Sequence, residues 1–222
     1  FSIFTLVPSF TLVGAGLTQI VRPDNVEIQY RRAILWTAPT TKTARGAMQI
    51  KNLSDGRIMQ TAFVTDDIEK AVRAFGREYD IGGWAIIRKV GFESLTLRGK
   101  QCDAEIRAAV AFQGDMMYEF IQPMDEKPSV YRDPATNELM LGFHHFARLV
   151  TDLPAAVDHY SAMGMSVAMD GTIASGGRAI YMEGGDPKTG MIELFEPNAA
   201  VDAFNNGTAA LEAPLTNGDV SI

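Results

Sequence analysis

The sequence predicts an α+β fold of two tandem βαβββ modules, in which each module is a strand, a helix and three further strands. Residues 60–75, QTAFVTDDIEKAVRAF, align without a gap with residues 145–160, HFARLVTDLPAAVDHY. Both copies are followed by strand-like stretches that Gly-rich turns separate. Both also end on a Glu that is followed four residues later by a Pro, at 119–123 and at 193–197. Such self-similarity indicates one supersecondary unit used twice.

The aligned segments each begin as a short strand and continue as an amphipathic helix. Asp67 and Asp152 occupy equivalent positions just before the helix. A carboxylate there accepts hydrogen bonds from the free N–H groups of the first turn, so these residues are the predicted N-caps. In the first copy, the apolar residues at 68, 71, 72 and 75 follow the spacing of a helix that buries one face.

The strands after each helix are read from short apolar runs. The first copy contains GGWAIIRKVGF, ESLTLRG, AEIRAAVAF and MMYEFIQP, and the second contains MSVAMDG, RAIYMEG and MIELFEP. The first copy is longer, so a segment is inserted among its later strands. The predicted boundaries are 56–124 for the first module, 125–140 for a polar connection, 141–198 for the second module and 199–222 for a C-terminal tail. Residues 1–47 form an extension of unassigned role, for which a β-like or poorly ordered appendage is favoured over a membrane or targeting segment.

Composition narrows the functional classes. Twenty Lys and Arg against 27 Asp and Glu give a net charge of −7, which provides no basic surface for nucleic acid. A phosphate-binding Gly loop and a dinucleotide fingerprint are both missing, so no nucleotide cofactor is expected. Cys102 is the only cysteine, which excludes an intrachain disulfide and fits the cytoplasm. Its thiol is expected to be buried and unreactive. The sequence indicates no clear membrane partner.

Four polar residues stand at equivalent positions of the two copies, in strands that are otherwise apolar. They are Gln60 and Glu119 in the first copy, and His145 and Glu193 in the second. A carboxylate amid such residues is costly to bury unless something compensates its charge. A divalent metal ion is the simplest common partner, because it turns carboxylate, amide and imidazole groups into ligands. The donor set suits Zn, Ni, Mn, Co or Fe(II).

The other two histidines are assigned supporting or surface roles. Neighbouring residues of a strand point to opposite faces, so His144 is expected to face away from the site that His145 faces. His144 is therefore interpreted as a packed or hydrogen-bonded support. His159 lies beside the apolar stripe of the second helix, where a surface or boundary position is expected.

The doubled module, with LVTDL after a first-strand His and a late ELFEP, resembles the vicinal oxygen chelate superfamily. This group includes glyoxalase I, methylmalonyl-CoA epimerase, extradiol dioxygenases and bleomycin-resistance proteins, and the resemblance covers about residues 56–200. It implies a curved mixed sheet around one divalent metal, with Gln60, Glu119, His145 and Glu193 at the ligand positions. That set resembles the ligands of eukaryotic-type glyoxalase I. The stretch GFHHFARLVTDL resembles the paired-His strand of methylmalonyl-CoA epimerase.

The resemblance implies a metal-dependent enzyme that moves a proton next to a carbonyl of a small-molecule substrate, as a lyase, isomerase or epimerase. Glu193 is the expected general base, with Glu119 as the alternative. Glutathione-using relatives carry Arg and Asn where this chain has Val64 and Pro123, so glutathione is not expected. A non-catalytic small-molecule-binding protein remains an alternative. So does a ring-cleaving dioxygenase, although Gln60 replaces a His that its iron site needs. In this superfamily, modules pair within one chain or across a homodimer.

Overall fold

A computed structural model of the chain describes residues 57–174, 176–196 and 198–212. Within these ranges the chain forms a ten-stranded mixed sheet, curled into a half-barrel, and three α-helices. In chain order the elements are β1 (Ile58–Val64), α1 (Ile68–Tyr79), β2 (Ala85–Ile87), β3 (Phe92–Leu97), β4 (Lys100–Gln101), β5 (Ile106–Gln113), β6 (Met116–Pro123), β7 (Gly142–Leu149), α2 (Leu153–Ala162), β8 (Ser166–Ile173), β9 (Arg178–Glu183), β10 (Met191–Glu196) and α3 (Ala199–Ala209).

The strand order confirms the doubled βαβββ fold. The sheet runs β2-β5-β6-β1-β7-β10-β9-β8-β3-β4. In the first module, β1 pairs in parallel with the last strand β6, and in the second module β7 pairs in parallel with β10. The two opening strands, β1 and β7, pair antiparallel at the centre. The pair β1–β7 and the strands β6 and β10 that flank it are therefore the first and last strands of both modules, and these four strands carry the predicted ligands.

The insertion in the first module has a defined place. It contributes the hairpin β3–β4, residues 92–101, and β3 pairs antiparallel with β8 of the second module. The other later strands, β2, β5 and β6, stay within the first module. The insertion thus extends the edge of the opposite module and ties the two modules together.

The helices α1 and α2 form as predicted and cover the outer face of the sheet. The carboxylate of Asp67 accepts from the N–H of Lys70 at 3.0 Å, and that of Asp152 accepts from Ala155 at 2.9 Å. Ile68 of α1 is fully buried and packs in a cluster with side chains of β5 and β6. Leu153 of α2 packs likewise on β9 and β10. Burying such apolar stripes is the main source of stability for short helices.

The opposite side of the sheet, which carries Gln60 and His145, is called the inner face. The connection between the modules covers one end of it, where Val130 and Tyr131 are buried against β1, β6, β8 and β9. Helix α3 covers the other end, where Phe204 and Leu211 pack on β5, β6 and β7. The predicted tail 199–222 therefore contains the helix α3, which the sequence did not predict.

The predicted extension 1–47 lies outside the described residues. In the ranges that the structure describes, none of the helices is long and apolar enough to cross a membrane.

Candidate metal centre

The four predicted ligands lie on four adjacent central strands and on the same face. Ala62 of β1 pairs with both Glu119 of β6 and His145 of β7. The equivalent Ala147 of β7 pairs with both Gln60 and Glu193. Both alanines are fully buried. Because these positions carry only a methyl group, the longer side chains on either side can lean across them and meet.

The functional groups of the quartet are in direct contact. Gln60 Nε2 donates to Glu119 Oε2 at 2.5 Å, and His145 Nε2 lies 3.1 Å from Glu193 Oε2. The same imidazole nitrogen is 3.9 Å from Glu119 Oε2. Gln60, His145 and Glu193 are buried, and the side chain of Glu119 is 16 % exposed. The four residues that stand at equivalent positions of the repeat are therefore brought together by the fold.

The electrostatics of the quartet favour a positive partner. Burial, and secondarily the charge of Glu193, raise the pKa of Glu119 well above its usual value, while the hydrogen bond from Gln60 opposes that shift. Two carboxylates and one imidazole in a largely dry site are stabilised by a cation, which satisfies all three. Three oxygen donors and one nitrogen suit Zn, Ni, Mn, Co or Fe(II). The residues present therefore fit the divalent ion that the superfamily implies.

The donors satisfy one another in the geometry described. Across the described ranges, no group of three or more His, Cys, Asp and Glu side chains is spaced to hold an ion as it stands. Gln60 presents its amide N–H to Glu119, whereas a metal requires the amide oxygen. Rotation of the amide by about half a turn exchanges these two groups, since both lie on the same terminal carbon. Metal binding therefore has to replace the Gln60–Glu119 hydrogen bond.

The structure places His144 on a different face from the one predicted, and it confirms the predicted hydrogen-bonded role. On β7, His145 pairs with Ala62 and Phe143 pairs with Phe63, so His144 is an extra, unpaired residue. This bulge interrupts the alternation of side chains. His144 is consequently buried on the inner face beside His145, and the expectation that it faces the other way is wrong. Its Nε2 lies 2.8 Å from the Val130 carbonyl, as expected for a hydrogen-bonded support. Burial, together with His145, lowers the pKa of His144 to about 3.

Two tyrosines near the quartet were not identified from the sequence. The hydroxyl groups of Tyr131 and Tyr181 are 3.3 Å apart, and the ring of Tyr181 lies 4.9 Å from that of His145. Burial raises the pKa of both phenols. A signal was present for Tyr131, because Val130 and Tyr131 are adjacent apolar residues in the middle of a largely polar connection. Tyr181 pairs with Glu193 across β9 and β10, which is a long-range relation that spacing does not reveal.

The remaining residues singled out from the sequence lie away from the quartet. His159 is exposed on α2, in agreement with its predicted surface position. Cys102 is half-buried rather than buried, and its thiol is 3.4 Å from the Pro128 carbonyl oxygen. Val64 is buried in the inner-face core.

Comparison with known families decides the broad class. The description "Glyoxalase/Bleomycin resistance protein/Dioxygenase superfamily" belongs to a family model that matches residues 59–182, more than half of the chain. The chain belongs to this superfamily. The matched range includes Gln60, Glu119 and His145 and ends before Glu193. Membership confirms the resemblance read from the sequence. No curated protein matches the chain.

Solved structures with a similar fold share little sequence with the chain. A hypothetical protein from Bacillus halodurans is 14 % identical, with a TM-score of 0.43, and the match covers 64 % of this chain and 95 % of that one. A methylmalonyl-CoA epimerase from Mycobacterium tuberculosis is 17 % identical, with a TM-score of 0.44 and coverage of 69 % and 95 %. A variant of the Streptomyces coelicolor methylmalonyl-CoA epimerase, in complex with 2-nitronate-propionyl-CoA, is 18 % identical, with a TM-score of 0.42 and coverage of 72 % and 99 %.

Proposed function

We propose that the chain is a divalent-metal-dependent enzyme that moves a proton at a carbon atom next to a carbonyl group. Its substrate is a small organic molecule, and its reaction is of the glyoxalase type, as in a lyase, isomerase or epimerase. The observation that carries the proposal is the convergence of His145 Nε2 with the Oε2 atoms of Glu119 and Glu193 on the inner face. Superfamily membership supports an enzyme of this kind.

Four side chains of the centre would hold the divalent ion. Glu119, His145 and Glu193 would supply two carboxylates and an imidazole nitrogen, and Gln60 would supply its amide oxygen after rotation of the amide. A bound divalent ion provides Lewis acidity, which stabilises negative charge on a substrate oxygen. Tyr131, Tyr181 and the core residues around them exclude water from this part of the inner face, which strengthens electrostatic interactions there.

The two carboxylates are the candidates for moving the substrate proton. Glu193 is the proposed general base, and Glu119 is the alternative. The Oε2 atoms of Glu119 and Glu193 lie 3.9 and 3.1 Å from Nε2 of His145, so both carboxylates border the same part of the centre. A base that takes a proton and returns it to the substrate suits an isomerisation or epimerisation.

Two segments lie over the inner face on either side of the quartet. The connection that carries Val130 and Tyr131 covers one end, and α3 covers the other. The side chain of Glu119 is 16 % exposed, so the centre is partly open to solvent there. The mutual hydrogen bonding of the quartet favours the second candidate function, a non-catalytic small-molecule-binding protein, because side chains that pair with one another do not need a metal ion.

Elemental analysis of the protein without a His-tag tests the proposal. Near-stoichiometric divalent metal is expected in the unmutated chain and is expected to be lost in His145→Ala and Glu193→Ala. His159→Ala is the matched control, since this exposed histidine lies on α2 and should leave the metal content unchanged. Absence of metal from the unmutated protein, even after loading with Zn, Mn, Ni and Fe(II), would favour the binding protein.

Proton exchange with solvent then tests the chemistry. The metal-loaded protein is incubated in D₂O with 2-oxo aldehydes, 2-hydroxy acids and acyl-CoA esters, and deuterium incorporation next to the carbonyl is followed by NMR. Glu193→Gln is expected to abolish exchange on a verified substrate. Full exchange in that variant would show that Glu193 is not the base.

Cytoplasmic localisation and a homodimer stay predictions from the sequence.

A further inference from the structure

We propose that His144 is a positioning residue, which accepts the Nδ1–H of His145 and thereby directs Nε2 of His145 at the two carboxylates as the ring nitrogen that can bind a cation. The inference deepens the proposed function and rests on it, because Nε2 of His145 is the proposed ligand atom. It follows from a chain of two hydrogen bonds that begins at a backbone carbonyl.

The first bond places a proton on His144. Its Nε2 lies 2.8 Å from the carbonyl oxygen of Val130. A carbonyl oxygen can only accept a hydrogen bond, so the proton of this bond belongs to Nε2 of His144. The identity of the donor is therefore determined by the backbone of the connection that covers the inner face.

The second bond places a proton on His145. The Nδ1 atoms of the two histidines are 3.0 Å apart, a distance that requires one of them to donate and the other to accept. A neutral His144 has already used its only N–H on Val130, so its Nδ1 accepts and Nδ1 of His145 donates. His144 is 4 % exposed and lies against the ring of Tyr131 at 5.1 Å, surroundings that disfavour a second proton.

The consequence appears on the other side of the His145 ring. With its Nδ1–H directed at His144, the His145 ring turns its other nitrogen, Nε2, towards Glu193 Oε2 at 3.1 Å and Glu119 Oε2 at 3.9 Å. In the metal-free centre a proton shared between Nε2 and these carboxylates holds the three groups together, and a cation can take the place of that proton. Metal-binding histidines commonly donate their second N–H to an acceptor that fixes the ring. Here that acceptor is the imidazole of His144, whose own orientation is fixed by its hydrogen bond to the Val130 carbonyl oxygen.

The bulge in β7 is the structural cause of this contact. In a regular strand His144 would point to the outer face, and its Nδ1 could not reach His145. The connection 125–140 also affects His145. The Val130 carbonyl oxygen that accepts from His144 belongs to this connection, so its position helps to fix which nitrogen of His144 can accept from His145.

NMR on the metal-free full-length chain tests the tautomer directly. The protein is labelled with ¹⁵N-histidine, and long-range ¹H–¹⁵N correlations report which nitrogen of each ring carries the proton. The chain has only three histidines, so His159→Phe and His144→Phe assign the signals by elimination. Nδ1 of His145 is expected to carry a proton in the unmutated protein, whether or not Nε2 shares another with the carboxylates. In His144→Phe, which fills the space but has no acceptor, the preference for a protonated Nδ1 is expected to be lost.

Zinc affinity, measured by competition with a fluorescent chelator, gives a second readout. His144→Phe is expected to bind Zn²⁺ about 10–100-fold more weakly than the unmutated chain. His144→Asn can place its Oδ1 near the position of the missing Nδ1 and accept from His145, so its affinity should stay within about threefold. Thermal melting of both variants verifies folding. A purely packing role for His144 predicts the opposite order, because Phe preserves the ring and Asn does not.

The outcomes separate the two proposals. An unprotonated Nδ1 of His145 in the unmutated chain overturns the positioning role, and so does a His144→Phe variant that binds Zn²⁺ as tightly as the unmutated protein. An unmutated chain with a protonated Nδ1 on His145 but no affinity for Zn²⁺ or the other divalent ions contradicts the proposed function instead. The NMR measurement on the unmutated chain needs no variant, so the inference stays testable if His144→Phe does not fold.

Discussion

Replacing Glu119 by Gln is expected to stabilise the metal-free protein, although the change lies at the centre of the candidate site. The Oε2 atoms of Glu119 and Glu193 lie 3.9 and 3.1 Å from the same nitrogen of His145. They are therefore within about 7 Å of each other, and at an effective dielectric constant of about 20 two unit charges at that distance repel by about 2 kcal/mol. A glutamine removes this repulsion and keeps an oxygen that accepts from Gln60.

The effect has a defined pH dependence. Burial and Glu193 raise the pKa of Glu119 above its usual value of 4.5, so the folded protein holds this proton more tightly than the unfolded chain does. The favourable contribution is complete below that usual value and is lost as the pH rises through the raised pKa of the folded state. The Glu119→Gln variant has no carboxyl group to ionise at this position, so its stability does not fall in this pH range. The variant should equal the unmutated protein near pH 4.5 and exceed it by about 2 kcal/mol at about pH 8.

Urea denaturation in the presence of EDTA measures this difference, and thermal melting should show a rise of roughly 4–8 °C for a chain of this size. Glu93→Gln on β3 is the matched control, because this exposed glutamate should change stability by less than about 0.5 kcal/mol at any pH. A Glu119→Gln variant that is less stable than the unmutated protein at about pH 8, or a difference that does not vary with pH, would refute the reasoning.

Saturating Zn²⁺ should reverse the order of stability. A ligand that binds only the folded state stabilises it by about 2.7 kcal/mol at one hundred times its dissociation constant. The unmutated chain is expected to gain this contribution in full, whereas Glu119→Gln replaces a charged ligand by a neutral one and should gain less. The sign of the substitution's effect therefore depends on the metal, which a general effect on packing cannot reproduce.

Two further predictions concern the helices. Asp152→Ala removes the acceptor for Ala155 N–H at the start of α2 and should cost about 1 kcal/mol by urea denaturation; an unchanged midpoint would contradict the capping role. Gly83→Ala should cost about 1–3 kcal/mol, because its Cβ would overlap the carbonyl oxygen of Leu211, which follows α3 directly. Gly207→Ala on the exposed side of α3 meets nothing and should stabilise by up to about 1 kcal/mol, so equal effects of the two glycine changes would argue against the docked position of α3.

The local features of the fold were predictable because each depends on residues close together in the chain. Asp67 and Asp152 bond to N–H groups only three residues away, so the two helix starts could be read from the sequence. The buried stripe of α1 follows from the period of the helix. The quartet was found by a different route. Equivalent positions in a repeat occupy equivalent places in a doubled fold, so Gln60 and His145 indicated one common site before any distance was known.

The features that were missed depend on contacts between distant residues. The hairpin β3–β4 is a strand pattern in the sequence, but only the tertiary structure shows that β3 pairs with β8 of the other module. Helix α3 buries Asn205 and Thr208 on its stripe beside Val201, so its periodicity is weak and the segment was interpreted as a tail. Its position became clear only from its contacts with the inner face.

The sequence by itself determined the doubled module, the helix starts and the identity of the four candidate ligands, since these follow from local hydrogen bonding, from periodicity and from the repeat. The tertiary structure decided how the ligands contact one another and which groups support them. His144 is the clearest case. A bulge arises from the register between β1 and β7, which are separated by many residues, and one extra residue in a strand reverses the face of a side chain.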